Sequence, residues 1–182
     1  FLGLADRGDF RRGVDNAGDH IEVHVAVLAS HDLCDGHAFV LFALAYYHRA
    51  TGDVTALGAA DDTLEVLRAK LHDGRHGGYH VAADEAWNVL PGLRLQNPHM
   101  HLLEAFLAWH RVTGDRHYLD RAAKIIALFT DHFFDSDFWT LGEFFESDWQ
   151  PAMGDMGAWT EPGHHFEWAS LLVDYAELAK RQ

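Results

Sequence analysis

Ala43-Leu44-Ala45-Tyr46-Tyr47-His48-Arg49-Ala50-Thr51-Gly52-Asp53 returns 62 residues later as Ala105-Phe106-Leu107-Ala108-Trp109-His110-Arg111-Val112-Thr113-Gly114-Asp115. The first alanine, the His-Arg pair and the whole Thr-Gly-Asp are identical in the two copies. In each, an apolar run stops at a glycine, the residue that ends a helix in the left-handed conformation at least cost. An amphipathic stretch follows each copy, about 54–71 with Leu57, Leu64, Leu67 and Leu71 on one stripe, and about 118–133. The unit is an apolar helix, a Thr-Gly-Asp turn, an amphipathic helix and a glycine- or aromatic-rich connection. A period of this size signals stacked helical hairpins. A third apolar helix is expected from Pro162, apolar nearly all round and therefore buried. The fold class expected is all-α, with inner helices packed on all sides and outer helices solvated on one face, as in an α/α toroid. Five helices cannot close such a ring, so the chain is expected to be a piece of something about twice as long. It is expected to form a single domain over 1–182.

Composition narrows the function classes. The 182 residues carry a formal charge of −14, which argues against a nucleic-acid partner, because nothing neutralises a phosphate backbone. A single cysteine, Cys34, excludes an internal disulfide framework and fits a reducing, cytoplasmic compartment. No apolar run reaches the length of a membrane span, and no basic-then-apolar signal segment opens the sequence, so no membrane partner is expected. With 15 His, 12 Phe, 6 Trp and 5 Tyr, two chemistries are open: an acidic, aromatic cleft for neutral polyols such as sugars, or histidine metal sites. The early segment 20–28 alternates loosely and reads as a short strand or an extended loop.

The chemistry-bearing stretch is Thr160-Glu161-Pro162-Gly163-His164-His165-Phe166-Glu167-Trp168. Proline suits the first turn of a helix, where its missing N–H costs nothing. His164 and Glu167, three apart, then share a face at the helix mouth, and His165 points elsewhere. They form either an acid/base pair or a helix-capping pair. Upstream, Asn97 with Pro98 reads as an N-cap, and His101 lies four residues on. His37 and His99 hold equivalent places in the repeat, which favours a structural role for both. Glu104, three after His101, supports a helix start. The loop 138–159 holds Trp139, Phe144, Phe145, Trp149, Met153 and Trp159, either a sugar-facing wall or satellite core. Glu143 and Asp148 in that loop are candidates for sugar hydroxyls. Arg94, just before the Asn-Pro-His motif, reads either as a residue that reaches the site or, the simpler expectation, as a surface arginine. A zinc site is disfavoured, because His99 and His101, at i and i+2, diverge, as do the adjacent His164 and His165.

The stretches Asp35-Gly36-His37-Ala38-Phe39-Val40-Leu41, Gln96-Asn97-Pro98-His99-Met100-His101-Leu102-Leu103-Glu104-Ala105 and Glu161-Pro162-Gly163-His164-His165-Phe166-Glu167-Trp168 resemble the N-acylglucosamine 2-epimerase superfamily, nearest its mannose isomerase-like branch. The resemblance runs from about His31 onward. It implies an (α/α)6 barrel of which this chain is a central portion, lacking a substrate-contacting arginine before it and a second catalytic histidine after it. It implies reversible proton transfer next to a sugar carbonyl through a cis-enediol, with no metal or other cofactor. It makes His164 the general acid/base, His101 and Asn97 substrate contacts or ring-opening groups, and Glu167 an orienting or substrate-binding partner of His164. Trp159 and Glu143 complete the expected sugar-binding set. The partner expected is a small sugar, with mannose–fructose interconversion first and N-acylglucosamine or cellobiose 2-epimerisation as alternatives. From other classes, a toroid glycoside hydrolase, which would need two opposed carboxylates, and a non-catalytic carbohydrate-binding relative stay open.

Overall fold

The structure, a computed structural model, describes residues 33–180. The strand considered for 20–28 lies outside them. Three long helices, α1 (Leu33–Thr51), α3 (Asn97–Thr113) and α5 (Pro162–Lys180), alternate with two outer ones, α2 (Thr55–Val66) and α4 (Arg116–Leu128). Both outer helices run into a single π-helical turn, Leu67–Leu71 and Phe129–Phe133, again 62 residues apart. The turns tuck Leu71 and Phe133 into the core.

The repeated Thr-Gly-Asp is one device used twice. Gly52 and Gly114 both sit at φ 71. Thr51 and Thr113 each donate their hydroxyl to the carbonyl four residues back, at 2.8 Å. Asp53 and Asp115 each accept from the backbone N–H two residues on, both at 2.9 Å; Asp115 thereby caps α4, whereas the cap position of α2 is Val54 and Asp53 takes the N–H of its first residue, Thr55. His48 and His110 donate Nδ1–H to the carbonyl of that aspartate, at 2.7 and 2.9 Å. A second set of histidines is equally regular. His37, His99 and His165 each bond Nδ1 to the carbonyl four residues earlier. His99 and His165 then accept a loop N–H at Nε2, from Tyr79 and Leu141 respectively, both at 2.9 Å. These rings fasten the loops to the starts of the inner helices.

The core centres on α3, which packs against α1, α4 and α5. Met100, Leu102, Leu103, Ala105, Phe106, Leu107 and Trp109 are almost fully buried. Trp109 also donates its indole N–H to the Leu41 carbonyl at 2.9 Å, tying α3 to α1. The expectation of inner helices buried all round holds for α3 alone. In α5 only Trp168 is buried, while Phe166 is 78% exposed. On α1, Phe39, Tyr46 and Tyr47 stay open. The reason is the neighbour count: α3 has an inner helix on each flank, but α1 and α5 have one each among the described residues. Arg111 and Asp174, 2.8 Å apart, pin α5 to the end of α3.

Two long connections, 72–96 and 134–161, gather where the inner helices begin. They are stitched by two short antiparallel pairs, β1 (Arg94–Leu95) with β4 (Phe144–Phe145), and β2 (Phe134–Asp135) with β3 (Thr140–Leu141). Beneath them Trp149 sits 5.1 Å from the His99 ring and 5.2 Å from Phe133. Gly78 touches this stack at φ +71; a Cβ there would lie 2.7 Å from the Trp149 ring and 2.8 Å from His99 Nε2. Gly78→Ala therefore combines backbone strain with a collision inside an aromatic core. We expect it to lower stability by about 3 kcal/mol, read as a lowered Tm, and an unchanged melting curve would contradict the packing described.

Candidate active site

The pairing of β1 with β4 sets Gln96, just past β1, beside Glu143, just ahead of β4. The Gln96 N–H donates to the Glu143 carbonyl at 3.2 Å. Both residues are buried, Gln96 completely. Their side chains meet as well: Gln96 Nε2 donates to Glu143 Oε2 at 2.8 Å. Into this corner comes the first turn of α5, whose start is organised by the Glu161 carbonyl accepting from the His164 N–H at 3.1 Å. His164 Nδ1 stands 2.9 Å from Glu143 Oε2 and 2.9 Å from Gln96 Nε2. The other carboxylate oxygen accepts the Glu161 N–H at 3.3 Å. An ionised carboxylate only accepts, so its contact is satisfied when His164 Nδ1 carries the proton, whereas the Gln96 NH2 is satisfied when Nδ1 keeps its lone pair. In the tautomer that suits Glu143, Nε2 is left with its lone pair. The His164 side chain keeps 25% of its surface open, against 6% for Glu143. A buried carboxylate behind a partly accessible imidazole is an arrangement that holds one tautomer and stabilises the imidazolium.

One turn deeper, a second cluster surrounds His101. Each lying two residues after the equivalent His37, His99 and His165, Phe39, His101 and Glu167 occupy equivalent levels on α1, α3 and α5. The Phe39 and His101 rings lie 4.6 Å apart. Glu104 Oε2 is 3.4 Å from His101 Nδ1. Burial works against charge on this ring, yet the bond to Glu104 and the negative charges of Asp35, Glu104 and Glu167 outweigh it, and the pKa of His101 is raised. His101 therefore holds a second proton more readily than a free imidazole does, within a carboxylate-rich surround. Buried His99 is its opposite: burial dominates, Arg94 adds to it, and its pKa falls to about 4.

Several expectations change here. The carboxylate on His164 is Glu143, 21 residues back, and not Glu167, which is exposed on α5 and acts electrostatically on His101. The i, i+3 spacing does allow such a contact, as His101 and Glu104 show, but at His164 Nδ1 is taken from the loop side by Glu143 and Gln96. Asn97 is not the cap of α3: the helix already includes it, and the cap position is Gln96 in helical conformation with no side-chain cap. Asn97 is half-buried instead. Trp159 closes a 3-10 turn (Gly154–Ala158) and is 55% exposed. The aromatic loop divides: Phe145 and Trp149 are core, whereas Phe138, Trp139 and Met153 are open. Arg94 is no surface arginine. It is 3% exposed, ion-paired with Asp73, and its guanidinium lies 4.9 Å from the Trp149 ring centre. Burial opposes charge on Asp73, but N–H groups of Arg75 and His76, the His76 ring and Arg94 hold its pKa well below the carboxylate range. Gln96 and Trp168 were missed as site residues. Their partners are 47 to 72 residues away, so no spacing advertised them. Among the described residues no group of three or more His, Cys, Asp or Glu side chains is arranged to hold a metal ion.

Stacked helical hairpins with an imidazole–carboxylate pair where the inner helices begin define the class: a portion of an α/α toroid with its candidate site at the loop-rich end. The chain belongs to the N-acylglucosamine 2-epimerase (GlcNAc 2-epimerase) family, whose model matches residues 23–182. It is 39% identical over 154 residues to a mannose-6-phosphate isomerase of Rhizobium meliloti (strain 1021), covering 82% of this chain and 38% of the relative. It is 32% identical over 155 residues to a D-mannose isomerase of Pseudomonas cannabina pv. alisalensis, covering 80% and 37%. Among solved structures, the cellobiose 2-epimerase of Spirochaeta thermophila DSM 6192 superposes with a TM-score of 0.71 at 35% identity, over 80% of this chain and 38% of that one. The chain thus spans less than two-fifths of the length of these relatives.

Proposed function

We propose that the protein carrying this chain interconverts a free aldose with its ketose or C2 epimer, mannose–fructose exchange being the leading case. The observation that carries the reading is the 2.9 Å contact of His164 Nδ1 with buried Glu143. It leaves Nε2 as a base at the partly open side of the ring. In the opened sugar, Nε2 takes the proton from C2. The electrons of that C–H bond form the C1–C2 double bond, and the carbonyl electrons move to O1, which gains a proton to complete the enediol. His101, which holds a proton more readily than a free imidazole, acts as the donor that steadies the developing oxyanion. Return of the proton from His164 to C1, with loss of the O2 proton, gives the ketose; return to the opposite face of C2 gives the epimer and needs a second acid. Glu167 and Asn97 act as hydroxyl partners, and Trp159 offers a ring face at the edge. The step uses no metal or organic cofactor.

The relatives' names, a mannose-6-phosphate isomerase, a D-mannose isomerase and a cellobiose 2-epimerase, support a sugar isomerase or epimerase. Hydrolysis is less well supported, since Glu143 lies behind His164 with both oxygens engaged and is not free to face a glycosidic bond. No helix among the described residues is long and apolar enough to cross a membrane. The test is NMR of mannose in heavy water with the intact protein. Deuterium at C1 of fructose or C2 of the aldose is expected. Release of reducing ends from a disaccharide, with no deuterium in the monosaccharide, would overturn the proposal.

A further inference from the structure

The triangle at His164 contains one more group than an acid/base pair requires. Its corners are His164 Nδ1, Glu143 Oε2 and Gln96 Nε2, with sides of 2.8, 2.9 and 2.9 Å. Which end of the Gln96 amide faces the ring follows from its far side. There the Trp168 indole N–H, which can only donate, bonds Gln96 Oε1. The amide NH2 is thereby turned to Nδ1 and Oε2, and Trp168, 1% exposed and stacked on Phe129 at 4.5 Å, is held too firmly to let it rotate.

The two neighbours of Nδ1 then pull in opposite directions. The Glu143 carboxylate stabilises every form of the ring with a proton on Nδ1, including the imidazolium. The Gln96 N–H stabilises the form with a lone pair there, the neutral tautomer protonated at Nε2, and opposes the forms with an N–H there, the imidazolium most because it carries the full positive charge. We propose that Gln96, locked by Trp168, is a positioning residue that offsets Glu143 and sets how readily His164 gives back the proton it takes. This deepens the proton-transfer reading above and rests on it. Reversible transfer requires both loading and unloading of Nε2 near the working pH, and a carboxylate alone favours loading.

The experiment compares the intact protein with Gln96→Met and Trp168→Phe. In the first the donor is gone. In the second the amide is free to turn its oxygen onto Nδ1–H. Both are expected to move the acid limb of the pH profile for deuterium exchange upward by about one unit, the equivalent of one hydrogen bond to the neutral ring. Nitrogen-15 NMR of His164 is expected to show the neutral ring shifting toward the Nδ1–H tautomer in both. Variants that melt earlier but keep the wild-type limb and tautomer would overturn the proposal and leave Gln96 a packing residue. Should the wild type exchange no deuterium at all, the functional reading fails, and the imidazole spectra alone decide the role of Gln96.

Discussion

His164→Asn is expected to reduce deuterium exchange into the sugar by about 10³-fold, the scale on which positioned acid/base groups act. Asparagine can still donate an amide N–H to Glu143, so the corner formed by Gln96, Glu143 and the start of α5 keeps its hydrogen bonds. What it lacks is a lone pair of suitable basicity on the open side. In the role proposed for His164 the group acts on the proton in flight and does not hold the ground state, so the loss is expected in the rate at saturating sugar, with KM little changed. Full exchange in this variant would remove His164 from the mechanism.

The second large effect concerns stability and is independent of any sugar chemistry. His99 is fully buried, donates Nδ1–H to the Leu95 carbonyl and accepts the Tyr79 N–H at Nε2. Its native pKa of about 4 lies below the ordinary value of 6.5, chiefly because burial penalises the charged ring. Between those values the unfolded chain binds a proton that the native one does not. Stability contributed by neutral His99 is thus complete above pH 6.5 and is lost as pH falls toward 4. The full loss is about 3 kcal/mol, and about 2 kcal/mol is gone at pH 5. His99→Leu is expected to cost about 2–4 kcal/mol at pH 7, because the buried Tyr79 N–H loses its acceptor. The gap between wild type and variant should then narrow as the pH is lowered, since leucine has no proton to bind. Denaturant titrations at pH 7 and pH 5 measure both. A gap that stays constant would show that the ring ionises in place.

The hairpin architecture was legible because it rests on local chemistry. Gly52 and Gly114 end their helices, and Asp53 and Asp115 start the next ones, through bonds between residues at most five apart. The same locality explains why His37 and His99 could be assigned structural roles from their equivalent places, and why His165 fell outside the sugar-facing set. Burial of α5 was misjudged for the opposite reason. Apolar composition says that a helix can be covered on all sides, not how many neighbours it meets, and among the described residues α5 meets α3 mainly along one flank, around Trp168.

At the candidate site the division is just as clear. The sequence alone determined which side chains are candidates for acid/base chemistry, His164 and His101, and that both sit at inner-helix starts, because helix boundaries and residue types are properties of a short window. Only the tertiary structure decided who partners whom. Glu143 replaces Glu167 behind His164, Gln96 joins them, Trp168 fixes Gln96, and Arg94 goes under the loops to Asp73 and Trp149. Each of those contacts spans 21 to 72 residues and depends on two loops being folded over the same end of the helices, a geometry that no local spacing encodes.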